Sequence, residues 1–215
     1  MTRLLEDKVV VVSGIGPGLG VHLATQAAEA GARLVIAART AEKLDSAERD
    51  IATLAPGTEV LKVPTDIAQR AQCKRLTNAA IERYGRIDVL LNSAYIAGSF
   101  GPIESADLDD WRKTLDVNLF GTLALTQEVL PHMKKARRGS IVNVNSQVTR
   151  KPIAGQAGYA TSKAALACAT SILRSSVGST CFSAGCGGRQ SPGTSSTCTG
   201  RRARASRRRR PRSRR

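Results

Sequence analysis

Residues 8–173 alternate between two textures, and that alternation constrains the fold more than any other feature of the chain. Short apolar runs stand at Val9-Val10-Val11-Val12, Leu34-Val35-Ile36-Ala37, Val60-Leu61-Lys62-Val63, Val89-Leu90-Leu91 and Ile141-Val142-Asn143-Val144. Rich in β-branched residues and Leu, they read as strands covered on both faces of a parallel sheet. Longer segments rich in Ala, Leu, Glu, Lys, Gln and Arg lie between them, at 19–30, 41–53, 67–84, about 105–136 and 157–173, and read as helices. Repeated strand–helix units need right-handed crossovers and place helices on both faces of the sheet. The expected class is therefore α/β, a doubly wound parallel sheet of five strands. Turn residues agree with the boundaries. Gly31, Pro56-Gly57 and Gly85 follow the first three helices, and Gly139 introduces the fifth strand.

The pattern stops near Leu173. The 42 residues from Arg174 to Arg215 hold 12 Arg, 9 Ser and 6 Gly, with no Leu, Ile, Met, Lys, Asp or Glu. A segment with so little to bury is expected to stay disordered, which divides the chain into a domain, 1–173, and a basic tail, 174–215. The division accounts for the net charge of +16, set by 33 Lys and Arg against 17 Asp and Glu. Residues 1–173 carry +4 and the tail +12. Spread over a domain, such a charge would suggest a nucleic-acid partner. Confined here, it offers a phosphate backbone only the ten Arg of 201–215. Selection for charge alone would accept Lys as readily as Arg, and the domain uses 9 Lys. A lysine-free run of Arg, Ser, Gly, Ala and Pro is what GC-rich codons yield out of phase, so the tail reads as frameshift-derived.

No apolar run approaches the roughly 20 residues that span a bilayer, and Met1 to Asp7 lacks the apolar stretch of a signal peptide. A cytoplasmic protein without a membrane partner is expected. Cys73, Cys168, Cys181, Cys186 and Cys198 form no CxxC pair, and His22 and His132 lie apart from them, so no metal site is expected.

The first strand runs into Ser13-Gly14-Ile15-Gly16-Pro17-Gly18-Leu19-Gly20, where a helix begins. Glycines there let the backbone turn sharply and approach a pyrophosphate, and the amides and positive dipole end of the helix hold its charge. At the other end of the domain, Tyr159-Ala160-Thr161-Ser162-Lys163 puts a phenol and an ammonium four residues apart on one helix face. A unit positive charge about 4 Å from a phenol favours the phenolate by about 4 kcal/mol at an effective dielectric near 20. Proton transfer at neutral pH needs a bias of that size.

Together these segments resemble the short-chain dehydrogenase/reductase family, a Rossmann-like fold, over about residues 5–173. Gly14, Gly18 and Gly20 match the glycines of its TGxxxGxG motif, with Ser13 in place of threonine, Leu19 between the last two glycines and Pro17 removing one amide. Asp66-Ile67 matches the acidic position placed against adenine. Asn92-Ser93-Ala94-Tyr95 matches the NNAG segment, with Tyr95 where glycine is usual. Ser146, thirteen residues before Tyr159, matches the catalytic serine, and Asn118 the helix asparagine that positions a water near the lysine. The resemblance implies hydride transfer between a nicotinamide and a secondary alcohol or ketone. Tyr159 would move the proton, Ser146 orient the oxygen, Lys163 assist the tyrosine and hold the ribose, and Asn118 complete a proton relay. Cofactor contacts are expected at Ser13, Gly14, Gly18, Leu19, Gly20, Arg39, Asp66, Ile67, Asn92, Ala94, Tyr159 and Lys163.

Arg39 decides which nicotinamide is expected. The second strand ends Ala37-Ala38-Arg39-Thr40, without the carboxylate that would accept the ribose 2′-hydroxyl. A guanidinium suits a 2′-phosphate, so NADP(H) is favoured over NAD(H). The partner implied is a small alcohol or carbonyl compound, with a second copy meeting helices 115–136 and 157–173 as in the family. The family's sixth strand, nicotinamide-contacting Pro-Gly turn and substrate lid find no match. Ser191-Pro192-Gly193 imitates the turn without an apolar strand before it. The expectation is a sheet truncated after the fifth strand, whose open edge is an aggregation hazard. Activity and a non-catalytic or inactive fragment both stay open.

Overall fold

The computed structural model describes residues 3–173 and the strand at 180–184. Among them, parallel strands form one sheet in the order β3-β2-β1-β4-β5-β6. The strands are β1 (Val9–Ser13), β2 (Arg33–Ala38), β3 (Val60–Pro64), β4 (Val89–Asn92), β5 (Ser140–Ser146) and β6 (Thr180–Ala184). Helices α1 (Leu19–Glu29), α2 (Ala41–Leu54), α3 (Arg70–Tyr84), α4 (Leu108–Leu115), α5 (Thr122–Ala136) and α6 (Ala157–Leu173) connect and flank them. The doubly wound α/β architecture is as the alternation of textures predicts.

Strand pleating divides the apolar runs between two cores. Val9 and Val11 of β1, with Val35 and Ala37 of β2, face Cys73, Leu76 and Ala80 of α3 and Leu125, Val129 and Met133 of α5. Val10 and Val12, with Leu34 and Ile36, face Ala24, Ala27 and Ala28 of α1 and Leu44, Ala47 and Ile51 of α2. Successive residues point to opposite faces, so a strand buried on both must be apolar at every position. Val9-Val10-Val11-Val12 satisfies that demand.

Two elements depart from the sequence reading. The stretch at 105–136 is not one helix. α4 ends at Leu115, residues Asp116–Gly121 form a π-helical segment, and α5 follows from Thr122. Such wide turns gather at functional sites, and this one carries Asn118. The second departure is β6, which pairs with β5 in the register Val142↔Thr180 to Ser146↔Ala184. The sheet therefore does not stop after five strands, β5 is not its edge, and residues 180–184 are ordered strand within a segment expected to be disordered. Ladder hydrogen bonds need only backbone, and Thr180 and Phe182 are good strand formers; a search for apolar runs overlooks so short and polar a strand. The boundary expected after 173 and the Arg-rich 201–215 lie outside the described residues.

At the end of the sheet away from the glycine loop, Asp88 ties β1 to β4. Its carboxylate accepts the Val9 amide at 3.0 Å, pairs closely with Arg86, and has Arg138 at 3.9 Å. Burial pushes the Asp88 carboxyl up, but the hydrogen bonds from Arg86 and Val9, with the charges of Arg86 and Lys8, outweigh it and hold the group below its ordinary value. A depressed folded value contributes stability above the unfolded value and loses it as pH falls through the folded one. Asp88→Asn is thus expected to cost about 2 kcal/mol at pH 7. The gap to wild type should close below about pH 4. Urea unfolding at pH 7 and at steps from pH 4 down to pH 2 checks this; a gap that does not narrow over those steps would mean that the charge is not its source.

Candidate active site

The strand order reverses direction between β1 and β4, and a doubly wound sheet opens a crevice at the carboxyl ends of those two strands. The glycine loop fills one side of it. Gly14, at φ +89°, lies so tight against the β4 loop that a Cβ would sit 2.2 Å from the Ala94 nitrogen. At Gly20 a Cβ would sit 2.2 Å from the Gly14 oxygen, which brings the start of α1 directly onto the turn. Gly16 and Gly18 face the other way, with nothing within 4 Å of a Cβ. No side chain caps α1 at Gly18, so its first amides point into that open space. Two glycines close the turn and two leave room, which fits a pyrophosphate laid against a helix N-terminus. Leu19 is partly exposed beside it, and Arg39 is exposed just past the end of β2.

Several residues expected at the cofactor have internal partners. The Ser13 hydroxyl donates to Asn92 Oδ1 at 3.4 Å, and the Asn92 amide donates to Thr126 Oγ1 at 3.3 Å and Asn143 Oδ1 at 2.9 Å. Asn143 in turn donates to Thr170 Oγ1 at 2.9 Å. Ser13, Asn92 and Asn143 occupy matching register positions on β1, β4 and β5. The result is a buried polar row across three strands that reaches α5 and α6. Asn92 and Ser13 are thus braces of the crevice floor. Asp66 Oδ1 accepts from the Ala68 amide at 3.0 Å and shapes the turn before α3, which starts at Arg70 instead of 67. Ile67 is buried, with its carbonyl where a Cβ on Gly121 would sit at 2.9 Å. Ala94 stands half-buried against Gly14.

The catalytic candidates converge from three elements, α6, β5 and the π segment. Lys163 of α6 is 3% exposed, and its ammonium donates to the Val144 carbonyl of β5 at 2.9 Å. Asn145 returns the contact by donating to the Lys163 carbonyl at 3.2 Å. These bonds dock α6 onto β5 at the two residues before Ser146. The Ser146 oxygen accepts the Val148 amide at 3.3 Å, which leaves the hydroxyl proton to donate elsewhere. The ammonium lies 5.9 Å from the centre of the half-buried Tyr159 ring.

Asn118 joins the β4 loop to α6. Fully buried in the π segment, it accepts the Ile96 amide at 2.8 Å and donates to the Ile96 carbonyl at 2.9 Å and to Ser162 Oγ at 3.0 Å. Ser162 donates to the Tyr159 carbonyl at 2.7 Å. Both side-chain amide protons are committed, so the group braces the β4 loop against α6. Sequence reasoning also left Tyr95 without a role. The structure sets its ring 6.1 Å from that of Tyr159 and 5.8 Å from the Lys163 ammonium. Its place after Asn92-Ser93-Ala94 was the available signal.

Among the described residues no group of His, Cys, Asp and Glu could hold a metal ion, and no helix is long and apolar enough to cross a membrane. Cys73 is no nucleophile, because burial and then the charges of Glu128 and Asp66 push its thiol up to about 11.

A doubly wound sheet with a glycine turn at its switch point has the geometry of a dinucleotide-binding fold. Residues 8–187 match the short chain dehydrogenase family, and the chain belongs to that family. It is 34% identical to levodione reductase of Leifsonia aquatica over 162 residues, covering 75% of this chain and 61% of that protein. It is 37% identical to the 3-oxoacyl-(acyl-carrier-protein) reductase FabG of Thermotoga maritima over 160 residues, 74% of this chain and 64% of that one. The chain spans less than two thirds of both curated relatives. The crystal structure of levodione reductase superposes with a TM-score of 0.79 at 32% identity, over 81% of this chain and 67% of that one. NAD+-bound xylitol dehydrogenase gives 0.81 at 26% identity, over 85% and 72%. A fold of this family binds a nicotinamide cofactor.

Proposed function

We propose that this chain interconverts a secondary alcohol and a ketone with NADP(H). The reading rests on the Lys163 ammonium, buried 5.9 Å from the Tyr159 ring across the switch-point crevice from the glycine turn. Gly16, Gly18 and the first amides of α1 would hold the pyrophosphate, and Arg39 the 2′-phosphate. The nicotinamide, when bound, supplies the hydride in reduction and takes it up in oxidation. The chain's own residues handle the oxygen and its proton. In reduction Tyr159 gives its phenolic proton to the carbonyl oxygen, and in oxidation it takes that proton back. Ser146 donates a hydrogen bond to the same oxygen and fixes its distance from the phenol. Lys163 opposes the charge left on Tyr159, and its docking on Val144 keeps it there. Asn118 holds the β4 loop and α6 at constant separation through Ile96 and Ser162.

Both named relatives are reductases by name, which supports a carbonyl substrate. The test is titration of the full chain with NADPH and NADH, followed by assays on a panel of ketones. A folded protein that binds neither nucleotide would overturn the reading. Arg39→Glu is expected to weaken NADPH binding ten- to a hundredfold, the loss of a charge-assisted forked contact of about 1.5–3 kcal/mol. NADH binding should hardly change. An equal loss for both nucleotides would remove the case for NADP(H).

A further inference from the structure

Tyr95 stands at the reactive pair, and nothing in the proposed reaction employs it. The two ring centres and the Lys163 nitrogen form a nearly equilateral triangle, with sides of 6.1, 5.8 and 5.9 Å. The rings are tilted by 58° to one another. Both ammonium–ring distances fall within the range at which a cation is attracted to an aromatic face. The exposures are opposite, since Lys163 is 3% accessible and Tyr95 is 59% accessible. A ring so open to solvent contributes little to the core. Its position makes it a cover on the solvent side of a buried cation.

We infer that Tyr95 is a positioning residue, whose ring shields the Lys163 ammonium from water and holds it against the Tyr159 phenol. This rests on the proposed role of Tyr159 as proton donor. The Val144 carbonyl anchors the ammonium from the strand side at 2.9 Å, and the Tyr95 ring faces it from the β4 loop. The loop is itself fixed, because Asn118 clamps Ile96, the next residue, through two hydrogen bonds. The charged side chains on the packed elements are exposed or tied elsewhere: Asp116 of the π segment, Lys113 of α4 and Arg150 and Lys151 after β5 are exposed, Arg112 pairs with Asp109, and Asp110 accepts from Ser99, while Asn118, Ser162, Asn145 and Ser146 are neutral. The attraction between ammonium and phenolate therefore depends on how much water reaches the space between them, since screening weakens it several-fold between a protein-like and an aqueous dielectric. A small residue at position 95 would admit that water.

The experiment compares the wild type with Tyr95→Phe and Tyr95→Leu. Tyr159 is followed by the ultraviolet absorbance of its phenolate, taken as the difference from a matching Tyr159→Phe protein. Only three tyrosines are present in the chain, which keeps the signal interpretable. In Tyr95→Leu the Tyr159 midpoint should rise by about one pH unit, a tenfold change in the ionisation equilibrium. The pH profile of ketone reduction should move with it, and kcat should fall more than KM rises. Tyr95→Phe keeps the ring face and should retain the wild-type midpoint. An unmoved midpoint in Tyr95→Leu overturns the inference, as does an equal shift in both variants, which would assign the effect to the hydroxyl. The absorbance titration needs no substrate. A wild type that reduces no ketone would count against the proposed function, while the midpoints still decide the role of Tyr95.

Discussion

Tyr159→Phe is expected to lower kcat for ketone reduction by about 10²- to 10⁴-fold, the range for losing a positioned general acid. The change deletes one oxygen and leaves the ring. Its contacts with Tyr95 and the Lys163 ammonium are ring contacts at 6.1 and 5.9 Å, so they survive the substitution. The fold of α6 should be unaffected, because Ser162 reaches the Tyr159 backbone carbonyl and not the phenol. NADPH affinity should change by no more than a few-fold. Steady-state rates and a fluorescence titration on the same preparation separate the two quantities. A variant that keeps a tenth or more of wild-type kcat would exclude Tyr159 as the proton donor.

Gly14→Ala is expected to have the largest effect on stability, about 2–5 kcal/mol. Two costs combine. At φ +89° an L side chain is strained by about 1–2 kcal/mol. The new Cβ would also meet the Ala94 nitrogen at 2.2 Å and its Cα at 2.3 Å. These are backbone atoms held between the polar row of β4 and the Asn118 clamp, so they cannot step aside cheaply, and overpacking adds about 1–3 kcal/mol. Gly16→Ala is the control, since its Cβ meets nothing within 4 Å. It should unfold like the wild type and lose nucleotide binding only if the pyrophosphate occupies that space. Urea midpoints for both variants, with NADPH binding for Gly16→Ala, test the pair. Equal stability of Gly14→Ala and wild type would show that the glycine turn and the β4 loop are not packed back to back.

Much of the fold was legible because it depends on local patterns. Four consecutive valines in β1 can be buried on both faces only inside a sheet that helices cover on both sides, and the two cores divide them as the pleat requires. The glycines were legible for a similar reason, since their spacing encodes where backbone must approach backbone. β6 was less legible. Its residues, Thr180 to Ala184, are ordinary in composition, and the strand is defined by the ladder it shares with β5.

The site was legible in its members and less so in their duties. Tyr159, Lys163, Ser146 and Asn118 do gather around the end of β5 and the start of α6. Ser13 and Asn92 are expected as cofactor contacts because they stand in segments that match the family's glycine and NNAG motifs. Their side chains also bond to one another and to Asn143 across three strands, a pairing that depends on sheet register. Asn118 likewise spends its amide on Ile96, 22 residues away in the chain. A burial cost for every unpaired polar group forces such pairings, but no sequence spacing announces which partner is chosen.

The sequence by itself therefore determined the architecture, the glycine turn and the identity of the Tyr–Lys pair, because each follows from periodicity or from residues a few positions apart. Tertiary structure alone decided that Asn92 and Ser13 bond to one another in the floor of the crevice, that Asn118 ties the β4 loop to α6, and that Tyr95 stands over the ammonium. Those outcomes depend on which strands become neighbours and in what register, and that is set by packing among segments distant in the chain.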